Sequence, residues 1–227
     1  MSDLQKKLGF YMHSKRFLNW ILGMGALVGG LQAEQSAAFV GAMYEVGAST
    51  LKARLHGQNV SSGPNRSAIT QGVGIHVGYN QLFGQKGWIG LRYYGFYNWG
   101  LTNFGTFVSN NNINFGKNTF NLSGYGVGLD LLLNLFTGDN YNLGVFGGLA
   151  VGGNTWTASQ VNKTQFQWMV NAGVRLVIAR HSAIQFGVKI PMMRASYTSH
   201  PNGTEFYNTD IYLKRDWAFT AAYYFLF

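Results

Sequence analysis

The last residues, Trp217-Ala218-Phe219-Thr220-Ala221-Ala222-Tyr223-Tyr224-Phe225-Leu226-Phe227, alternate apolar with small or polar side chains. Side chains of a β-strand point in turn to its two faces, so Trp217, Phe219, Ala221, Tyr223, Phe225 and Phe227 form one oily row with aromatics at its ends. Such a row suits a lipid-facing surface. Composition narrows the choice further. Charged residues make up 11% of the chain, hydrophobic ones 47% and aromatic ones 16%, whereas a soluble domain carries about twice that charge. A helical membrane protein would show runs of about twenty apolar residues, and none follows the N-terminal region. Apolar residues are instead diluted one in two, as a transmembrane barrel requires. Cysteine is absent, which excludes a disulfide framework, a thiolate metal site and a cysteine nucleophile.

Period two repeats along the chain and predicts strands near 38–47, 69–80, 87–99, 119–134, 141–152, 165–179, 183–194 and 211–227. In the second, Ile69, Val73, Ile75, Val77 and Tyr79 oppose Thr70, Gly72, Gly74, His76 and Gly78. The fourth and sixth follow suit, with Tyr125, Val127, Leu129 and Leu131 against glycines and Asp130, and Phe166, Trp168, Val170 and Val174 against Gln167, Asn171 and Arg175. A soluble barrel, lipocalin-like, would turn the oily face inward and would need an outer face of charges that this chain lacks. The expected fold is therefore all-β: a transmembrane antiparallel up-and-down barrel of about eight strands, of outer-membrane type. Tyr79, Tyr97, Trp99, Tyr141, Trp168, Trp217 and Phe227 lie near predicted strand ends, as an interfacial girdle would.

Lys15 and Arg16 precede an apolar stretch from Phe17 to Gly30, and the segment breaks to Leu31-Gln32-Ala33 before Glu34. These are the parts of a signal peptide, so residues 1–33 are expected to be removed and 34–227 to form the barrel domain of a Gram-negative envelope protein. Met12, just ahead of His13-Ser14-Lys15-Arg16, is an alternative start. Removal lowers the net charge from +9 to about +6. The remaining basic residues show no cluster beyond a pair, which argues against nucleic acid and for acidic lipopolysaccharide or solubility.

Long connections (48–68, 100–118, 153–164, 195–210), rich in Asn, Ser, Thr and Gly, alternate with short ones at Gln81 to Lys86, Phe136 to Asn140 and Arg180 to Ser182. Outer-membrane barrels have longer external loops and short periplasmic turns, so the long set is expected outside and both termini in the periplasm. The loops are then the natural contact sites for a host or surface partner. Tyr223, Phe225 and Phe227 are expected to be read by the barrel-assembly machinery.

Glu45, His76, Arg92, Asp130, Arg175 and Lys189 share the inward parity with the glycine rows. Unpaired charges are expensive in a narrow interior, so these residues are expected to form a lumen charge network that plugs the barrel. Rings of charge also set selectivity in pores, which keeps a small porin or narrow channel as the alternative. A lipid-modifying enzyme is a third reading. Its nucleophile and base would come from His56 with Ser61 or Ser62, or from His200 with Ser199 and Glu205. No histidine is followed by serine two places on, the strand motif expected of a lipid A deacylase. No catalytic residue, metal or cofactor is assigned: His76 has no ligand-spaced partner, and Gly124-x-Gly126-x-Gly128 lies within an alternating strand, where no helix opens to cradle a phosphate.

Three stretches carry a resemblance. Phe39-Val40-Gly41-Ala42-Met43-Tyr44-Glu45-Val46-Gly47, then Val77-Gly78-Tyr79-Asn80 leading to Lys86-Gly87-Trp88-Ile89-Gly90-Leu91-Arg92-Tyr93-Tyr94-Gly95-Phe96-Tyr97, and the closing Tyr223-Tyr224-Phe225-Leu226-Phe227 are similar to the Helicobacter outer-membrane protein family of Hop/Hor type. The resemblance implies an outer-membrane barrel of about eight strands. Adhesin members of that family share a large N-terminal external domain, and here the first strand begins within a few residues of Glu34. The resemblance is thus to a small member, and implies adhesion only through loops; porin activity is known among relatives. It transfers no catalytic residue.

Overall fold

A computed structural model describes residues 35–56, 65–84, 87–108, 114–138, 141–158, 161–199 and 208–227. The signal-peptide segment lies outside them. All secondary structure among the described residues is strand: β1 (Ala37–His56), β2 (Asn65–Phe83), β3 (Ile89–Val108), β4 (Asn114–Thr137), β5 (Tyr141–Ala158), β6 (Val161–Ile178), β7 (Ser182–Pro191), β8 (Arg194–Ser199) and β9 (Asn208–Leu226). Each pairs antiparallel with its neighbour, and β9 returns to β1 through Tyr44↔Ala221 and Glu45↔Thr220, which closes the sheet. The nine strands fill eight positions, because β7 and β8 lie end to end along β9 with Met192 and Met193 between them.

The flanks of two short connections lie close together, with the Gly87 amide donating to the Gly84 carbonyl at 3.2 Å and the Gly138 amide to the Tyr141 carbonyl at 2.8 Å. Gly84 and Gly87 have φ of 75° and 58°, the left-handed region that costs glycine nothing. The turn after β6 places Ala179 and Arg180 there instead, at 49° and 64°. It is braced by β9, whose Leu226 amide donates to the His181 carbonyl at 2.8 Å.

The strands run well past the bounds that hydrophobic alternation suggests, into the expected loops. β1 continues to His56, β3 to Val108, and β5 and β6 pair out to Ala158↔Val161. The physical reason is a reversal of polarity. Along most of each strand the exposed side chains are apolar (Val73, Ile75 and Val77 on β2; Val127, Leu129 and Leu131 on β4) while Gly, Asn and charged residues face inward. Beyond that belt the outer wall carries Thr50, Lys52, Asn65, Ser67, Asn121, Thr155, Thr164, Arg194 and Lys214. The buried positions there are Leu51, Phe104, Phe120, Leu122, Trp156, Ala195 and Leu213. That end of the barrel has the polarity of a water-soluble one. Its polar outer residues pair across strands, as in Thr155 with Thr164 (2.8 Å) and Thr50 with Ser67 (3.1 Å); period two persists in the backbone after it has vanished from outward hydropathy.

Candidate functional site

The lumen gathers the chemistry, because strand alternation sends every second polar residue into it. Glu45, His76, Arg92, Asp130, Arg175 and Lys189 are all buried, with no more than 6% of the surface of any exposed. They fall into two groups. In the first, Arg92 lies opposite Asp130 on β4 and donates from Nε and Nη2 to its Oδ2 at 2.9 and 2.5 Å, while Nη1 donates to Gln185 Oε1 at 2.6 Å. The guanidinium also sits 4.7 Å from the Phe146 ring centre and within 6 Å of Tyr94 and Tyr224, a cation–π setting that suits a desolvated arginine. Arg175 Nη1 donates to Asn134 Oδ1 at 3.4 Å.

The second group centres on Glu45. Its Oε1 accepts from Arg215 Nη1 at 2.8 Å, and its Oε2 lies 3.8 Å from Lys189 Nζ. His76 stands between the groups: Nδ1 is 2.8 Å from Tyr224 Oη, and the ring stacks on Tyr94 with centres 5.2 Å apart. The Tyr94 hydroxyl in turn accepts from Asn171 Nδ2 at 2.7 Å. Glycine makes room for these rings. A Cβ at Gly128 would collide with Tyr94, and one at Gly41 with Tyr224.

Arg215 is the residue that alternation alone misplaces. It shares the odd parity of Trp217 and Phe219, which face lipid, but the β1 register slips between Ala48 and Ser49 so that Ser49 faces Arg215 and Ala48 faces Trp217. One extra residue on β9 turns Arg215 inward. Tyr94, Gln185 and Asn134 have the parity of Arg92, Lys189 and Asp130 on their strands, and Tyr224 the parity opposite to the oily row of β9, but neutral side chains give no charge signal.

Further along the lumen the hydroxyls of Ser49, Thr70 and Thr102 form a chain with spacings of 2.6 and 2.5 Å, and above them lies the apolar plug around Trp156. Two interior hollows, one beside Glu45 and Arg215 and one beside Arg92 and Lys189, measure about 20 Å³ each, room for roughly one water molecule.

The remaining candidates lie elsewhere. Tyr223 Oη is 2.9 Å from Ser182 Oγ, Phe225 stacks on His181 with ring centres 6.2 Å apart, and Phe227 is 38% exposed. Ser61, Ser62, His200 and Glu205 fall outside the described residues, as do the side chains of His56 and Ser199. Among the described residues no three His, Asp or Glu side chains gather as a metal site would need.

Comparison with one solved structure, OprG, gives the fold independently. OprG from Pseudomonas aeruginosa superposes with a TM-score of 0.55 at 12% identity, over 86% of this chain and 97% of that one. The N-terminal β-barrel domain of P. aeruginosa OprF gives 0.39 at 16% identity, over 86% and 100%. The outer membrane protease OmpT from Escherichia coli gives 0.36 at 8%, over 89% and 99%. No curated protein matches the sequence. Residues 74–227 match the family described as Helicobacter outer membrane protein. The chain belongs to that family and is an outer-membrane β-barrel.

Proposed function

We propose that this barrel conducts nothing through its lumen and serves as a structural and surface-interaction protein, its long connections facing outward as contact sites. The observation that carries this reading is the filled lumen: the Arg92–Asp130 pair, the Glu45–Arg215–Lys189 cluster and the Trp156 plug follow one another along it. A barrel of about eight strands has an interior that side chains just fill. Purified protein in planar bilayers is expected to leave the conductance of the bare bilayer unchanged. Regular unitary current steps would favour the narrow pore and overturn the closed-lumen reading.

A further inference from the structure

The sequence disperses its basic residues, and the fold brings three of them together. Thr50 on β1 pairs with Ser67 on β2 and with Lys214 on β9, and Lys214 pairs with Arg194 on β8. The neighbouring rung reads Asn65, Lys52, Tyr212, Ser196 across the same four strands. Lys52, Arg194 and Lys214 are exposed on the outer wall and line a polar depression of about 510 Å³ with Thr50, Ser67 and Asp216. Asp216 is already engaged: its Oδ2 accepts from Thr50 Oγ1 at 2.6 Å, and its Oδ1 lies 3.9 Å from Lys214 Nζ. Lys52 and Arg194 have no ion-pair partner among the described residues. The patch therefore carries about two uncompensated positive charges, which matches the −1.5 to −2 of a phosphate monoester.

What lies below the patch on the same strands is apolar apart from Gln71, whose Oε1 accepts from the Tyr44 hydroxyl at 3.2 Å. Trp217 and Ile69 occupy the next outward rung with Ala48, and exposed Met192 borders the depression. Further down, Ala42 and Ala221 leave a hollow of about 580 Å³ walled by Tyr44, Val73, Trp99 and Tyr223. From Thr50 to Tyr44 is six residues, about 20 Å along a strand and about 15 Å of depth once tilt is counted. That is half the hydrocarbon core, the depth of one leaflet's acyl chains.

We propose that the outer wall of β2, β1, β9 and β8 is a binding site for a phosphorylated lipid. Lys52, Lys214 and Arg194 hold its phosphate, and one acyl chain runs down β1 and β9 into the hollow between Ala42 and Ala221. Arginine supplies a planar fork for two phosphate oxygens and lysine a point charge. The small side chains of Ala42 and Ala221 leave room at the lower end of that path between Tyr44 and Tyr223. The proposal rests on the outward placement of the long connections and not on a closed lumen.

Native mass spectrometry of the detergent-purified barrel tests it with three probes: bis-phosphorylated lipid A, the same lipid dephosphorylated, and inorganic phosphate. Wild type is expected to retain the phosphorylated lipid at least tenfold more tightly than the dephosphorylated one. The triple variant K52Q/R194Q/K214Q should lose that preference, whereas K163Q, an exposed change on β6, should keep it. Equal retention of both lipids by wild type, or equal loss in K163Q, would overturn the site. Displacement of bound lipid by millimolar inorganic phosphate would overturn the acyl half, since an anion alone would then suffice. None of these readouts depends on conductance or orientation, so failure here leaves the functional reading standing.

Discussion

Arg92 and Lys214 each hold one carboxylate, and their surroundings decide what each pair is worth. Arg92 is 4% exposed and its partner Asp130 fully buried, so truncation leaves a charge stranded where water cannot reach it. Arg92→Ala is expected to cost about 3–5 kcal/mol, read as a lower urea midpoint for protein refolded in micelles. The Lys214–Asp216 pair is 3.9 Å apart with its side chains 45% and 31% exposed, and in lipid-free detergent Lys214→Ala should cost no more than about 1 kcal/mol. If the two variants unfold together, the lumen is wet. The turn after β6 offers a test of opposite sign. Ala179 holds a φ of 49°, a conformation roughly 1 kcal/mol easier for glycine, so Ala179→Gly should raise the same midpoint. The lumen positions of Glu45, His76, Arg92, Asp130, Arg175 and Lys189 were readable from parity because their strands stay regular. Arg215 was not, since a bulge is a property of two strands in register and leaves no mark in the sequence of one.

Strand ends were harder to read than strand centres, for a reason visible in β5. Its inner row passes from glycines to Asn154 and Trp156, and its outer row passes from Leu149 and Val151 to Thr155 and Thr157. Hydropathy therefore loses its outward period where the wall leaves lipid, although the ladder to β6 continues to Ala158↔Val161. The Asn, Ser and Thr of the outer ends look like loop composition and act as strand. Trp156 packs edge-on against Phe120 with ring centres 6.2 Å apart, and Phe120 likewise against Phe104 at 5.8 Å. Trp156→Ala should cost about 3–5 kcal/mol, whereas Asn121→Ala, one residue from Phe120 and pointing outward, should stay within about 0.5 kcal/mol. Equal midpoints for the two would mean that the plug is not packed. The three-cation patch was beyond the sequence, because Arg194 meets Lys214 across the β8–β9 pair and Lys52 joins them only once β1 closes on β9.

At the scale of the whole barrel, the absence of cysteine makes any introduced thiol unique. With the long connections outward, Ser67→Cys and Ser196→Cys should react with a membrane-impermeant maleimide on intact cells, and Gly138→Cys only after lysis. Labelling of Gly138→Cys alone would turn the molecule upside down. The apolar belt fits a thin membrane: on β4 it runs outward from Tyr125 to Leu135, about 33 Å along the strand and about 25 Å of height after tilt. Above that belt the wall changes sides, and this has an evolutionary reading. In lipid the inward positions answer to one another and the outward ones need only stay oily. Above it, Leu51, Phe104, Trp156 and Leu213 are pinned by mutual packing, while their alternate neighbours, outside the Lys52, Arg194 and Lys214 patch, need only stay polar. Natural variants of this protein should therefore accumulate polar exchanges at every second residue of the strand tips, and the height at which that tolerance begins would mark the membrane's edge in a set of sequences with no structure at all.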